Sequence, residues 1–108
     1  MIHIDLRRNL EGHLWSFTAK NHSNTDVCAA VSLLLINTAN SIEALTDAVF
    51  QCEHDDSGGF LSFALTGYED YGRHEQAGLI MDTMYLGLTS VVSQYPRNIR
   101  IIEHTSTK

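Results

Sequence analysis

Proline is almost missing from this sequence, with Pro96 the single example in 108 residues. Low-complexity stretches and internal repeats are missing too. Little of the chain therefore reads as linker or disordered tail beyond the closing "TSTK". Lysine and arginine are scarce, 7 against 13 aspartates and glutamates, for a formal charge of −6. A sequence-independent grip on DNA or RNA needs clustered basic residues, so direct nucleic-acid binding is not expected. An acidic surface of this kind attracts a basic protein or peptide instead. Two cysteines, Cys28 and Cys52, are too few for a disulfide framework. The N-terminal "MIHIDLRRN" lacks the apolar core of a signal peptide, and no apolar run is read as approaching membrane-spanning length. These absences predict a cytoplasmic protein with reduced thiols and no membrane segment.

What is present is ordinary for a globular chain: 44% apolar and 19% charged residues. The length suits one domain over residues 1–108 and is short for two. Ile2, Ile4 and Leu6 alternate with His3, Asp5 and Arg7, the period of a half-buried strand. After the polar "RNLEG" the alternation returns, with Trp15, Phe17 and Ala19 on one side and Leu14, Ser16 and Thr18 on the other. The pair predicts a hairpin from Ile2 to about Lys20. From Asp26 to about Asp47 the period becomes helical, with Ala30, Val31, Leu34, Leu35, Ile42 and Leu45 in the stripe. "AVFQCEH" and "GGFLSFAL" predict two strands joined by "DDSGG", with Phe50, Cys52 and His54 on one face. A second helix fits Arg73 to Gln94, ended by Pro96, and "NIRIIEHT" closes as a strand. The order ββαββαβ predicts an α+β two-layer sandwich, a mostly antiparallel sheet with two helices on one face. The apolar girth of the first helix points toward an interface.

The candidate chemistry lies in "KNHSNTDVCAAVSLLL", Lys20 to Leu35. Asp26, or Thr25 beside it, is a good N-cap, which puts Cys28 at about the second helical position. Unpaired N–H groups and the positive end of the helix dipole favour a thiolate there, and a nearby imidazolium acts in the same direction. His22 falls at the end of the second strand or just after it. Five intervening residues are enough to fold its ring back over the helix start. Cys28 and His22 then make a nucleophile with its general base. The plainer reading of the same residues is a small buried packing cysteine and a solvated loop histidine.

"DVCAAVS", with a histidine upstream, closely resembles a segment of the ribosomal-processing cysteine protease (Prp) family. The likeness continues through the "MIHIDLRRNLEGHLWSFTAKNH" hairpin, the "AAVSLLLINTANSIEAL" helix, the "SGGFLSFAL" strand and the second helix. The resemblance implies that Cys28 is the nucleophile and His22 its base, with no cofactor. It implies a homodimer that removes an N-terminal extension from a large-subunit ribosomal protein, the one reaching toward the peptidyl-transferase centre. Cleavage would follow a pair of aromatic residues. Two departures stand out. The family's "GHA" is "NHS" here (Asn21, His22, Ser23), and the "SNTDV" between His22 and Cys28 is shorter than is typical.

Two other readings use the same residues. His22, Cys28, Cys52 and His54 offer two nitrogens and two sulfurs to a tetrahedral zinc, although their spacing is not a standard one. The alternative is a non-catalytic, dimeric interaction module that keeps the fold without the chemistry. His3, His13, His74 and His104 read as surface residues. "GGF" at Gly58 to Phe60 reads as a turn first and part of a substrate cleft second. Trp15, Phe17, Tyr68 and Tyr71 read as core or interface. Asp26 reads as a helix cap rather than a third catalytic member.

Overall fold

The computed structural model describes residues 1–21, 27–55, 59–66 and 75–105 fully, and the backbone of 26 and 71–74. The chain runs β1 (Ile2–Arg8), β2 (Leu14–Lys20), α1 (Asp26–Leu45), β3 (Phe50–Asp55), β4 (Phe60–Leu65), α2 (Tyr71–Gln94) and β5 (Ile99–Thr105). This is the ββαββαβ order read from hydrophobic periodicity. The five strands form one sheet in the order β3-β4-β2-β1-β5. Every neighbouring pair is antiparallel except β1 and β5, which run parallel.

Register explains which side chains become core. Ile4 faces Ala19 and Leu6 faces Phe17 across β1 and β2, and Phe17 and Ala19 face Phe63 and Leu61 of β4. On β5, Ile99 and Ile101 stand beside Ile2 and Ile4. These residues share one face and pack with Val31, Leu35 and Ile42 of α1 and with Ala77, Met81, Met84 and Leu88 of α2. Phe17, Phe63 and Phe50 stack in series, with ring centroids 5.2 and 5.1 Å apart. The opposite face is polar. Thr18 and Ser62 share a 3.1 Å hydrogen bond there, and His104 Nε2 lies 3.0 Å from Asp5 Oδ1.

One strand departs from simple alternation. The register shifts between Arg7 and Arg8, so that Arg7 faces Ser16 but Arg8 faces Leu14. Trp15 is the extra residue of a β-bulge. Leu14, which alternation sets opposite Phe17, is brought into the core at 2% exposure.

α1 also differs from the sequence reading in one respect. Val27–Leu45 has 19 residues and a mean hydropathy of 1.4, so it is long and apolar enough to cross a membrane. Its Val31, Leu35, Ala39 and Ile42 stripe is consumed by packing on the sheet and α2. Leu33, Ile36 and Leu45 stay outside, as do Leu79 and Leu86 of α2.

Candidate active site

β2 ends at Lys20, and the chain leaves it through Asn21 with φ at 65°. That left-handed conformation favours glycine, and asparagine is among the side chains that adopt it most readily. Asn21 therefore occupies a backbone position for which glycine, as in the expected "GHA", is also suited. His22 and residues 23–25 lie outside the described residues.

α1 begins at Asp26, which makes Cys28 its third residue, within the first turn and one position further in than the sequence reading placed it. The first four N–H groups of a helix have no partner inside it, so the backbone at Cys28 retains its anion-favouring character. The side chain is 3% exposed and belongs to the core cluster beside Val27 and Val31. Cys28 is thus largely covered in this conformation, which the plainer reading of a packing cysteine also expects. The physical reason lies in the stripe itself: Cys28, Val31 and Leu35 repeat at helical spacing on the face that packs inward.

A cleft opens one helical turn further on. It measures about 380 Å³. Ser32, Ile36, Ala39 and Asn40 of α1 form one wall, and Ser32 follows Cys28 by four residues on the same side of the helix. Cys52, His54 and Asp55 of β3 form the other wall, and Gly59, Phe60 and Leu61 close the floor. β3 is an edge strand, and Gln51 to Asp55 are all exposed. Gly59 has φ at 61°, which suits the turn expected of "GGF", and Phe60 beside it lines the cleft.

Burial pushes the Cys52 thiol up from its ordinary pKa, and the carboxylates of Glu43 and Glu53 raise it further. Cys52 therefore stays a thiol at neutral pH and makes a poor nucleophile. Among the described residues, no group of three or more His, Cys, Asp or Glu side chains is placed to hold a metal ion. Cys52 and His54 do share the cleft wall, as the strand period expects, whereas Cys28 lies in the core.

The sequence model of the family described as cysteine protease Prp matches residues 1–100. The chain belongs to the Prp cysteine protease family. A curated relative, the ribosomal processing cysteine protease Prp of Staphylococcus aureus, is 29% identical over 107 residues. That alignment covers 94% of this chain and 97% of the relative. The Prp fold is shared as well. The Staphylococcus aureus protease solved with a covalently linked product peptide aligns at a TM-score of 0.85 and 29% identity, covering 96% of this chain and all of that one. The same protease solved with a substrate peptide aligns at 0.86 and 26%, with the same coverage. A Streptococcus mutans protein aligns at 0.82 and 27%, covering 98% and 99% of the two chains.

The sequence reading of this Prp-family chain thus located the helix start, the thiol in its first turn and the "GGF" turn. It missed Ser32 and Ile36 as cleft residues. The signal was present, because both continue the i+4 spacing that begins at Cys28. Asp55 was also missed, since nothing in a strand pattern reveals which residue a helix wall will face.

Proposed function

We propose that this chain is a cysteine endopeptidase that removes the N-terminal extension of a large-subunit ribosomal protein precursor. Cys28 is the nucleophile and His22 its general base. The observation that carries this reading is a cysteine in the first turn of α1, one helical turn before the residues that line a cleft, in a chain that matches the Prp family over residues 1–100. The Staphylococcus aureus relatives solved with substrate and product peptides support a peptide as the ligand. The thiolate sulfur attacks the scissile carbonyl, and N–H groups at the helix start meet the developing oxyanion. His22 gives its proton to the leaving amine, and a water deprotonated by the same ring cleaves the thioester. Because Cys28 is 3% exposed, substrate binding has to open the helix start before attack. The protein acts in the cytoplasm as a homodimer, and the exposed Leu33, Leu79 and Leu86 on the outer helical surfaces support self-association.

The burial of Cys28 and the short His22–Cys28 connection favour one second reading, a non-catalytic module of the same fold. Incubation with the ribosomal protein precursor separates the two. Wild type should cut it after an aromatic pair, while Cys28→Ala and His22→Ala should lose at least about a thousandfold in kcat/KM. An intact precursor with wild-type protein would reject the endopeptidase assignment.

A further inference from the structure

The seven lysines and arginines are scattered along the sequence, yet three of them meet on one face of the sheet. Ile2, Ile4, Leu6, Ala19 and Ile99 are buried against the helices, so alternation turns His3, Arg7, Lys20 and Arg100 to the opposite, polar face. Register then brings them side by side. His3 faces Lys20 across β1 and β2, and it faces Arg100 across β1 and β5. Further along β1, Arg7 faces His104. Arg7, Lys20, Arg100 and His104 are all exposed.

Strand spacing puts the Cα atoms of Lys20 and Arg100 about 10 Å apart, with His3 between them. Arg7 lies about 13 Å from that row along β1. On this face β1, β2 and β5 carry one carboxylate, Asp5, and His104 Nε2 already lies 3.0 Å from its Oδ1. Among the described residues no carboxylate pairs with Arg7, Lys20 or Arg100. Glu53 and Asp55 share the face but sit on β3, about 14 Å from β1 and beyond a Debye length at physiological salt. Three fixed cations thus gather on one patch of a chain whose net charge is −6. Like charges gathered in this way repel and add nothing to folding, so their use lies in what they bind.

A protein partner would anchor on apolar or aromatic side chains, and this patch offers only Ile102, 39% exposed. The large apolar side chains that stand out from the fold, Leu33, Leu79 and Leu86 among them, lie on the helices instead. A polar, cationic strand face suits phosphate oxygens, which need charge and hydrogen-bond donors but no pocket. We propose that the outer face of β5, β1 and β2 docks RNA through its phosphate backbone, with Arg7, Lys20 and Arg100 as the contacts and no reading of bases. RNA rather than DNA rests on the endopeptidase reading, because a ribosomal protein precursor is met in the company of RNA. Sequence order points away from nucleic acid because the basic residues cluster only when the strands pair.

The test is an anisotropy titration of a fluorescein-labelled oligouridylate, about 20 nucleotides long and without a fold to recognise, with the full-length protein. The dissociation constant should be about 10⁻⁴ M or tighter at low salt. The logarithm of the binding constant should fall against log salt with a slope of about −2, the value for three phosphate contacts to a single strand. Arg7→Gln, Lys20→Gln and Arg100→Gln should each weaken binding about fivefold at low salt and reduce the slope by about 0.7. Gln76→Glu, on the exposed surface of α2, changes the net charge by the same amount and should alter neither. The three glutamine variants should unfold in urea at or above the wild-type midpoint, since repulsion is relieved, so their weaker binding is not lost folding. No saturation at low salt, a slope insensitive to the three substitutions, or equal weakening by Gln76→Glu would overturn the proposal. Polyglutamate bound as tightly, with the same losses, would also overturn it and make the partner an acidic protein. The titration needs no peptidase activity. A precursor left uncut by wild type would reject the endopeptidase assignment, and with it the choice of RNA over DNA, while the phosphate contacts would stand.

Discussion

Two thiols in one small chain have opposite circumstances, and the difference is measurable. Cys28 is buried at the positive end of α1, whereas Cys52 is exposed on an edge strand. Access governs the absolute rate of alkylation, while thiolate fraction governs its pH dependence. With Cys52→Ser, labelling of Cys28 by iodoacetamide should be slow at every pH, because the residue is covered. With Cys28→Ala, labelling of Cys52 should be faster at alkaline pH, with a midpoint above the ordinary value of about 8.5. The cause is burial together with the nearby Glu43 and Glu53 carboxylates. Replacing both glutamates by glutamine should lower the Cys52 midpoint. Equal labelling rates for the two thiols at alkaline pH would contradict this difference in access. At this scale the sequence disclosed the helix start and the thiol's place in its first turn, because capping residues and apolar spacing are local. It did not disclose that the thiol is covered, since burial depends on which neighbours the rest of the chain supplies.

Helix α2 contains two glycines whose surroundings differ, which separates propensity from packing. A Cβ on Gly78 meets nothing within 4 Å. Gly78→Ala should therefore stabilise the protein by about 0.5–1 kcal/mol, the gain expected in a helix interior. A Cβ on Gly87 lies 3.0 Å from Leu34 Cδ2 and 3.1 Å from Cδ1, where α2 crosses α1. Gly87→Ala gains the same propensity but forces the Leu34 side chain aside in a packed site. Its net effect should fall below that of Gly78→Ala, and a Leu34→Ala background should remove the difference in a double-mutant cycle followed by urea unfolding. Additive effects would deny the close approach. Both helices were legible as elements: α1 ends at Leu45 rather than near Asp47, and α2 begins at Tyr71 rather than Arg73. The two glycines read alike in sequence, as mild weaknesses in a helix. Only the crossing of α1 and α2 distinguishes them. The bulge at Trp15 was hidden for a related reason, because period-2 alternation contains no signal for a skipped partner.

Across the whole molecule, the least legible feature is the one that closes the sheet. Periodicity predicts five strands, but their order follows from how layers pack, and β5 returns to lie parallel to β1. That pairing joins the two ends of the chain, and a polar cluster ties it to α2. Arg8 donates from Nε to Glu103 Oε1 at 2.8 Å, and Tyr85 donates from its hydroxyl to Glu103 Oε2 at 3.1 Å. The Arg8 guanidinium also lies 4.8 Å from the centre of the Tyr85 ring, a cation–π contact. The hydrogen bond from Arg8 holds the Glu103 carboxyl below its ordinary pKa, against the opposing effect of burial, and Tyr85 adds to the lowering. A carboxylate with a lowered folded-state pKa stabilises fully above its unfolded value of about 4.3. It loses that contribution as pH falls through the lower folded value. Because the Glu103 side chain is 41% exposed, solvent screening limits the contribution at neutral pH to about 1 kcal/mol or less. Glu103→Gln should therefore lower stability slightly at pH 7 and leave it unchanged near pH 2, so that the acid limb of the variant is shallower than that of wild type. Urea unfolding across that range measures the difference directly, and subtraction removes the other carboxylates common to both proteins. Parallel acid limbs would mean that the Arg8–Glu103–Tyr85 cluster does not help hold the first and last strands together.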